Sequence, residues 1–323
     1  MSASTVAPAQ MGLKQWSMLG LLSVLWGASF FSIEIAVREL PPFTIVNIRV
    51  GLAALVLFAY MRIAGILPPF RGRSDKPLVL LVFVLMAIFN NIIPSSLIVW
   101  GQTHISSSLA SILNATMPLF TVFMAHFFVG GERLSLNRLL GVAVGFSGVV
   151  FIVGPAALGG MLSGVVGQLA ILGAAFSYSV AVVIGRRFVR LGIKPVQMAF
   201  GQAGVAALIL LPVTLAVDQP FSLPLPGLPV ILALISLATF STALAYLLYF
   251  RLIAEAGATN ASLVTLLIPV VATSLGVGFL GEVFEPAHGA GLLLIAFGLM
   301  LIDGRIGGKR RRLRAETVPP EGR

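Results

Sequence analysis

Ten apolar runs follow one another along the chain, at about 16–37, 43–64, 77–100, 106–129, 137–154, 164–187, 196–217, 228–251, 259–281 and 287–304. Each approaches the roughly 20 residues that a helix needs to cross the hydrocarbon of a bilayer. Inside hydrocarbon every backbone N–H and C=O must find its partner within the protein, so runs of this length are expected as helices. Only 10% of the residues are charged while 58% are hydrophobic, too few polar groups to coat a water-facing surface of this size. The expected fold class is therefore an all-α integral membrane protein with ten transmembrane helices. Breaks between the runs carry Pro, Gly or charge: Pro41-Pro42, Pro68-Pro69, Pro155, Asp218-Gln219-Pro220 and Glu285-Pro286. The first run is too long for a cleavable signal core and reads as a span, preceded by a small, polar lead over 1–13 that is expected to be disordered.

An internal repeat organises these runs. Segments 106–152 and 259–302 both hold a long apolar run centred on a proline (Pro118, Pro269), then Gly-Glu (Gly131-Glu132, Gly281-Glu282), then a second run studded with glycine. Laid on each other, Ala110 meets Ala261, Ser111 meets Ser262, Asn114 meets Thr265 and Gly148 meets Gly298. With five runs in each half, the second half must enter the membrane from the opposite side, so the repeats are inverted. The domain reading is a first five-helix repeat over 14–157, a second over 158–305 and a basic cytoplasmic tail over 306–323.

Charge orients the chain. With ten spans, Lys14, Arg62, Arg71, Arg73, Lys76, Arg133, Arg138, Arg186, Arg187, Arg190, Lys194, Arg251 and the tail from Arg305 all fall on one side, whereas the other side receives only Arg38. The positive-inside rule places that side, and both termini, in the cytoplasm. The densest block, Lys309-Arg310-Arg311-Arg312-Leu313-Arg314, follows the last span directly, where it anchors topology or meets anionic lipid, and nucleic acid is not an expected partner. The absence of cysteine excludes disulfide and thiolate chemistry. Three histidines and few carboxylates within the runs leave no metal site, and no cofactor is expected.

Trp26-Gly27-Ala28-Ser29-Phe30 in the first run, Arg49-Val50-Gly51-Leu52 in the second, and the two prolines ahead of Gly131-Glu132 and Gly281-Glu282 resemble the EamA-type transporters of the drug/metabolite transporter superfamily. The resemblance covers nearly the whole chain. It implies export of amino acids and other small metabolites across the bacterial inner membrane, with nucleotide-sugar carriers and small multidrug pumps as distant relatives. The first helix of such transporters often carries a Lys where this chain has Glu34.

Polar side chains at membrane depth are costly and tend to face a cavity or a neighbouring helix. The residues singled out as a substrate pathway are Trp26, Ser29, Asn90, Asn91, Ser95, Ser111, Asn114, Pro118, Tyr178, Thr242, Tyr246, Thr265 and Pro269. Ser107, Ser111, Asn114 and Pro118 share one helical face, and Ser262, Thr265, Pro269 and Thr273 repeat it. The first, third, fourth, sixth, eighth and ninth helices are expected around the pathway, with the fifth and tenth peripheral. The competing reading is interhelical hydrogen-bond glue, worth about 0.6 kcal/mol per contact. Trp26 aligns on the repeat with Tyr178, which suggests an aromatic pair. Glu34 and Arg49 stand equally far from the Pro41-Pro42 turn, so an antiparallel hairpin would bring them together as an ion or coupling pair, with Arg38 as the alternative partner of Glu34. Gly141-xxx-Gly145 suits close helix packing, within the chain or in a homodimer. The function expected is secondary transport of a small-molecule substrate, with no enzymatic activity. The rivals are a membrane-embedded enzyme acting on lipid and a transporter of drugs or nucleotide sugars.

Overall fold

The computed structural model describes residues 11–67, 74–128, 135–158, 162–188 and 191–302. The Pro68-Pro69 corner, Gly131-Glu132, Asp303 and the basic tail lie outside the described residues, as do the first ten residues of the lead. Among the described residues the chain is helical, with no strand. Among the described residues, eight helices are long and apolar enough to cross a membrane: α1 (Leu13–Ala36), α2 (Pro42–Ile63), α3 (Lys76–Gln102), α4 (Ser107–Phe128), α5 (Leu136–Gly154, its helical geometry running on to Leu158), α6 (Gly164–Gly185, within a helix Leu162–Phe188), α7 (Pro195–Asp218) and α8 (Leu228–Ala256). Two shorter apolar helices, α9 (Val264–Leu280) and α10 (Pro286–Ile302), complete the bundle. Proline begins several of them, at Pro42, Pro195 and Pro286, where its missing N–H costs nothing.

The irregularities inside these helices have local causes. Pro118 cannot donate to the Asn114 carbonyl, and α4 breaks just ahead of it into Ser107–Asn114 and Met117–Phe128, joined by tight bonds such as Thr116 N–H to Leu113 O at 3.2 Å. Helix α3 widens into a π-bulge over Ile88–Ile92, two residues before Pro94, and α8 does the same over Thr239–Leu244. There the Thr242 hydroxyl donates to the Leu237 carbonyl at 2.7 Å, inserting a side chain into the ladder. The two bulges occupy the third helix of each half.

The pairings among helices repeat when the five of one half are exchanged for the five of the other. Helix α1 packs on α8 and α9, and α6 packs on α3 and α4. The pairs α2–α7, α4–α9 and α5–α10 map onto themselves. Of these α5–α10 is the most extensive, and glycine makes it so. A Cβ on Gly298 would stand 2.5 Å from the Gly141 carbonyl oxygen, and one on Gly148 would stand 2.7 Å from that of Gly291. Where lipid is as apolar as leucine, such backbone-to-backbone approach is what holds helices together. Gly141-xxx-Gly145 thus serves packing within the chain. Large apolar side chains such as Leu55, Leu139, Leu208 and Leu293 point outward, the arrangement required of a surface that meets acyl chains.

Gly298→Ala is expected to lower the apparent Tm of the detergent-purified protein, since overpacking of this kind costs about 1–3 kcal/mol. Gly278→Ala, where an added Cβ meets nothing within 4 Å, is expected to leave it unchanged or raise it. An unaltered Tm for Gly298→Ala would contradict the close approach.

Candidate functional site

A polar and aromatic cluster lies where the two halves meet, and it is built from the middle parts of six helices. Arg49 of α2 donates from Nε to Thr242 Oγ1 of α8 at 2.9 Å. Asn90 of α3 donates from Nδ2 to Gln202 Oε1 of α7 and to the Tyr246 hydroxyl of α8, both at 3.1 Å. Ser95 of α3 lies beside Tyr178 of α6, and Tyr178 and Tyr246 lie within reach of the Arg49 charge. Trp26 of α1 packs on Tyr249 of α8 with ring centroids 5.1 Å apart. Every one of these contacts joins a residue before 158 to one after it.

The bulges are what allow this convergence. Widening a helix to i→i+5 spacing turns its side chains out of register and exposes carbonyls. Asn90 and Asn91 sit in the α3 bulge, and Ser241 and Thr242 in the α8 bulge. The Phe89 carbonyl accepts from Ser177 Oγ at 2.9 Å, and Ser241 Oγ reaches the Leu25 carbonyl of α1 at 2.7 Å. The Phe89 carbonyl and the Ser241 hydroxyl thereby find partners on neighbouring helices.

Of the residues singled out from sequence, Trp26, Asn90, Ser95, Arg49, Tyr178, Thr242 and Tyr246 meet in this cluster. Others bond within their own helix: Ser29 to Trp26 O at 2.6 Å, Asn91 to Met86 O at 3.4 Å, Ser111 to Ser108 O at 2.7 Å and Thr265 to Ser262 O at 2.7 Å. Helices α4 and α9 pack on one another instead, Pro269 is buried, and among the described residues the buried Asn114 Oδ1 has no hydrogen-bond partner. Two expected pairs are corrected. Trp26 pairs with Tyr249, not Tyr178, because α1 lies against α8 rather than α6. Glu34 accepts from Gln102 Nε2 of α3 at 3.2 Å and Arg49 turns to α8, so the hairpin ion pair is not formed. Equal depth placed the two charges level, but α1 and α2 turn them toward different neighbours.

Gln202 and Tyr249 belong to the cluster and were not singled out. Gln202 was findable: it stands seven residues after Pro195, as Arg49 stands seven after Pro42, so extending the repeat to the second helix of each half superposes them.

Carboxylates tie the halves together at the end of the molecule where α1 finishes. Glu282 accepts from Ser107 N–H at 2.8 Å, Ser107 Oγ at 2.7 Å and Ser108 N–H at 3.0 Å, and also from the Ser108 hydroxyl. Asp218 accepts from Thr44 N–H and Oγ1 at 2.6 and 2.9 Å, and Glu39 from Gly227 N–H at 2.6 Å. Each anion sits on the opening N–H groups of a helix from the opposite half, where the helix dipole favours negative charge. At the other end, Glu255 of α8 bonds Lys14 of α1 at 2.8 Å and Arg251 at 3.0 Å.

Residues 14–154 and 165–303 each match the EamA-like transporter family. The chain belongs to that family. Among its relatives, one from Escherichia coli K12, described as the uncharacterized inner membrane transporter YedA, is 29% identical over 285 residues, covering 87% of this chain and 88% of the relative. Another, the uncharacterized transporter YoaV of Bacillus subtilis strain 168, is 25% identical over 294 residues, 88% of this chain and 95% of the relative. A solved crystal structure superposes with a TM-score of 0.63 at 20% identity, over 90% of this chain and 98% of that one, a likeness of fold alone. Membership of the EamA-like family makes the chain a multi-pass membrane transporter.

The Glu282 cap is testable by a double-mutant cycle. Glu282→Gln and Ser108→Ala are each expected to lower the apparent Tm, with a coupling of about 0.5–3 kcal/mol between them. Strict additivity would contradict a direct bond.

Proposed function

We propose that the chain is a secondary transporter that exports small metabolites such as amino acids across the bacterial inner membrane by alternating access. It crosses the membrane ten times as two inverted five-helix halves, with both termini in the cytoplasm. The observation that carries this reading is that the mid-depth polar cluster is assembled entirely from bonds between the halves: Arg49 to Thr242, and Asn90 to Gln202 and Tyr246. A site held between two halves changes its access when one half rocks against the other. The twofold pattern of helix pairings and the two successive family matches support the duplicated architecture. Ten apolar helices with basic residues on one side support the orientation.

The two ends carry different closures. Opening the end where α1 finishes requires Glu282, Asp218 and Glu39 to leave the helix starts they cap, and that end faces outward by the charge rule. Opening the cytoplasmic end requires Lys14 to part from Glu255. Alternating access on this scheme breaks one set while the other holds.

Cells over-expressing the protein are expected to tolerate higher concentrations of at least one inhibitory amino acid or analogue in a broad panel. Asn90→Leu removes the amide that joins Gln202 to Tyr246 and is expected to weaken that tolerance roughly tenfold, the upper range for a lost neutral hydrogen bond, with membrane expression intact. Ser147→Leu on α5, whose hydroxyl bonds only its own helix at Val144 O, is expected to behave as wild type. Protection by neither the wild type nor either variant against any compound in the panel would contradict export.

A further inference from the structure

Arg49 enters the protein interior with one hydrogen bond, from Nε to Thr242. Among the described residues its Nη1 and Nη2 groups have no hydrogen-bond partner and no carboxylate stands within ion-pair distance. The described acids are engaged elsewhere. Glu34 is held by Gln102, while Glu39, Asp218 and Glu282 cap helices at one end and Glu255 pairs with Lys14 at the other. Asp75 precedes α3 and Glu285 precedes α10, both off the mid-depth region.

An uncompensated guanidinium near the centre of a span costs about 2.5–3.5 kcal/mol, and one neutral hydroxyl does not replace a counter-ion. The Thr242 bond nevertheless does something specific. By holding Nε, it fixes the direction of the planar fork and leaves the Nη1/Nη2 edge, which is the edge that matches two carboxylate oxygens in a bidentate pair. Tyr246, bonded to Asn90, follows Thr242 by one turn of α8, the Trp26–Tyr249 pair lies beyond it along the same helix, and Tyr178 of α6 lies within reach of the charge. A pre-oriented cation bordered by aromatic rings fits a ligand with an anionic head and an apolar body.

We propose that Arg49 is the receptor for a substrate carboxylate, whose two oxygens accept from Nη1 and Nη2 while an aromatic or branched apolar body lies against Tyr178, Tyr246 and the Trp26–Tyr249 pair. Thr242 is a positioning residue that sets the fork. Glu34, level with Arg49, accepts from Gln102 of α3, and among the described residues no acid bonds to the groups around Arg49, so the carboxylate is the compulsory feature. An amino group, where present, meets aromatic faces. Amino acids and simple organic acids share that chemistry. The role of Arg49 in transport rests on the transporter reading above, whereas its binding of a carboxylate does not.

The test uses the full-length protein in detergent, with apparent Tm read at millimolar phenylalanine, phenylacetate, phenylacetamide and phenethylamine, and with the matching isobutyl series. At least one carboxylate is expected to raise the Tm, and its neutral amide to need a roughly tenfold or higher concentration for the same shift, as loss of a charge-assisted bond implies. Arg49→Gln is expected to abolish the acid's advantage, Arg49→Lys to retain part of it, and Arg38→Gln, exposed beyond the end of α1, to retain all of it. Should Arg49→Gln fail to fold, the acid-to-amide comparison on the wild type decides alone. Stabilisation by phenylacetate and phenylalanine alike makes the carboxylate sufficient, and stabilisation by phenylalanine alone adds the zwitterion. Amides or amines that stabilise as well as acids, or no stabilisation by any acid, would overturn the proposal. Counterflow into proteoliposomes separates the two readings. An acid that binds without counterflow keeps the Arg49 role and removes transport, whereas counterflow of amines or amides alone keeps transport and removes the Arg49 role.

Discussion

In hydrocarbon no water stands ready to satisfy a polar group, and that one constraint shapes the chain from its helices to its site. It makes the apolar runs helical. It also explains why the departures from regular helix are so fully compensated. The Phe89 carbonyl of the α3 bulge accepts from Ser177, Ser241 of the α8 bulge donates to the Leu25 carbonyl of α1, and the opening N–H groups of α2, α4 and α8 are taken by Asp218, Glu282 and Glu39. Each compensation comes from another helix, so meeting the local need also links the two halves.

Those links divide by strength. The α5–α10 contact rests on glycines that leave no room for a side chain, an interaction that gains nothing from a change in geometry and suits a fixed pair. The bonds among Arg49, Thr242, Asn90, Gln202 and Tyr246 are single hydrogen bonds between flexible side chains, each worth about 0.5–1.5 kcal/mol, or somewhat more where the charge of Arg49 takes part. Contacts of that size can be exchanged for contacts with a ligand at little net cost. The molecule thus places its most rigid packing away from the site and its most exchangeable bonds within it.

Much of this was legible in the sequence. The apolar runs located every helix to within a few residues because run length and a proline or glycine break determine where a span can begin and end. The break in α4 at Pro118 was not expected, and Pro269, its counterpart in the repeat, lies inside an unbroken α9. Seven of the residues chosen at depth do converge, since most buried hydroxyls, amides and guanidiniums take partners from one another. The turning of a residue about its helix axis was not legible. Glu34 and Arg49 were level but faced α3 and α8, and Trp26 faced α8 rather than α6. The π-bulges shift register in ways that no apolar pattern records. Gln202 was hidden only because the repeat was followed through the fourth and fifth helices of each half and not back to the second.

In the proposed inverted arrangement the two halves pass through the membrane in opposite directions, and equivalent loops report on this most directly. Ser74 follows α2 and Ser222 follows α7, and the chain has no cysteine of its own to confuse the readout. Inverted halves with cytoplasmic termini predict that Ser222→Cys reacts with an impermeant maleimide in intact cells while Ser74→Cys reacts only after lysis. Labelling of both positions from the same side of the membrane would contradict it.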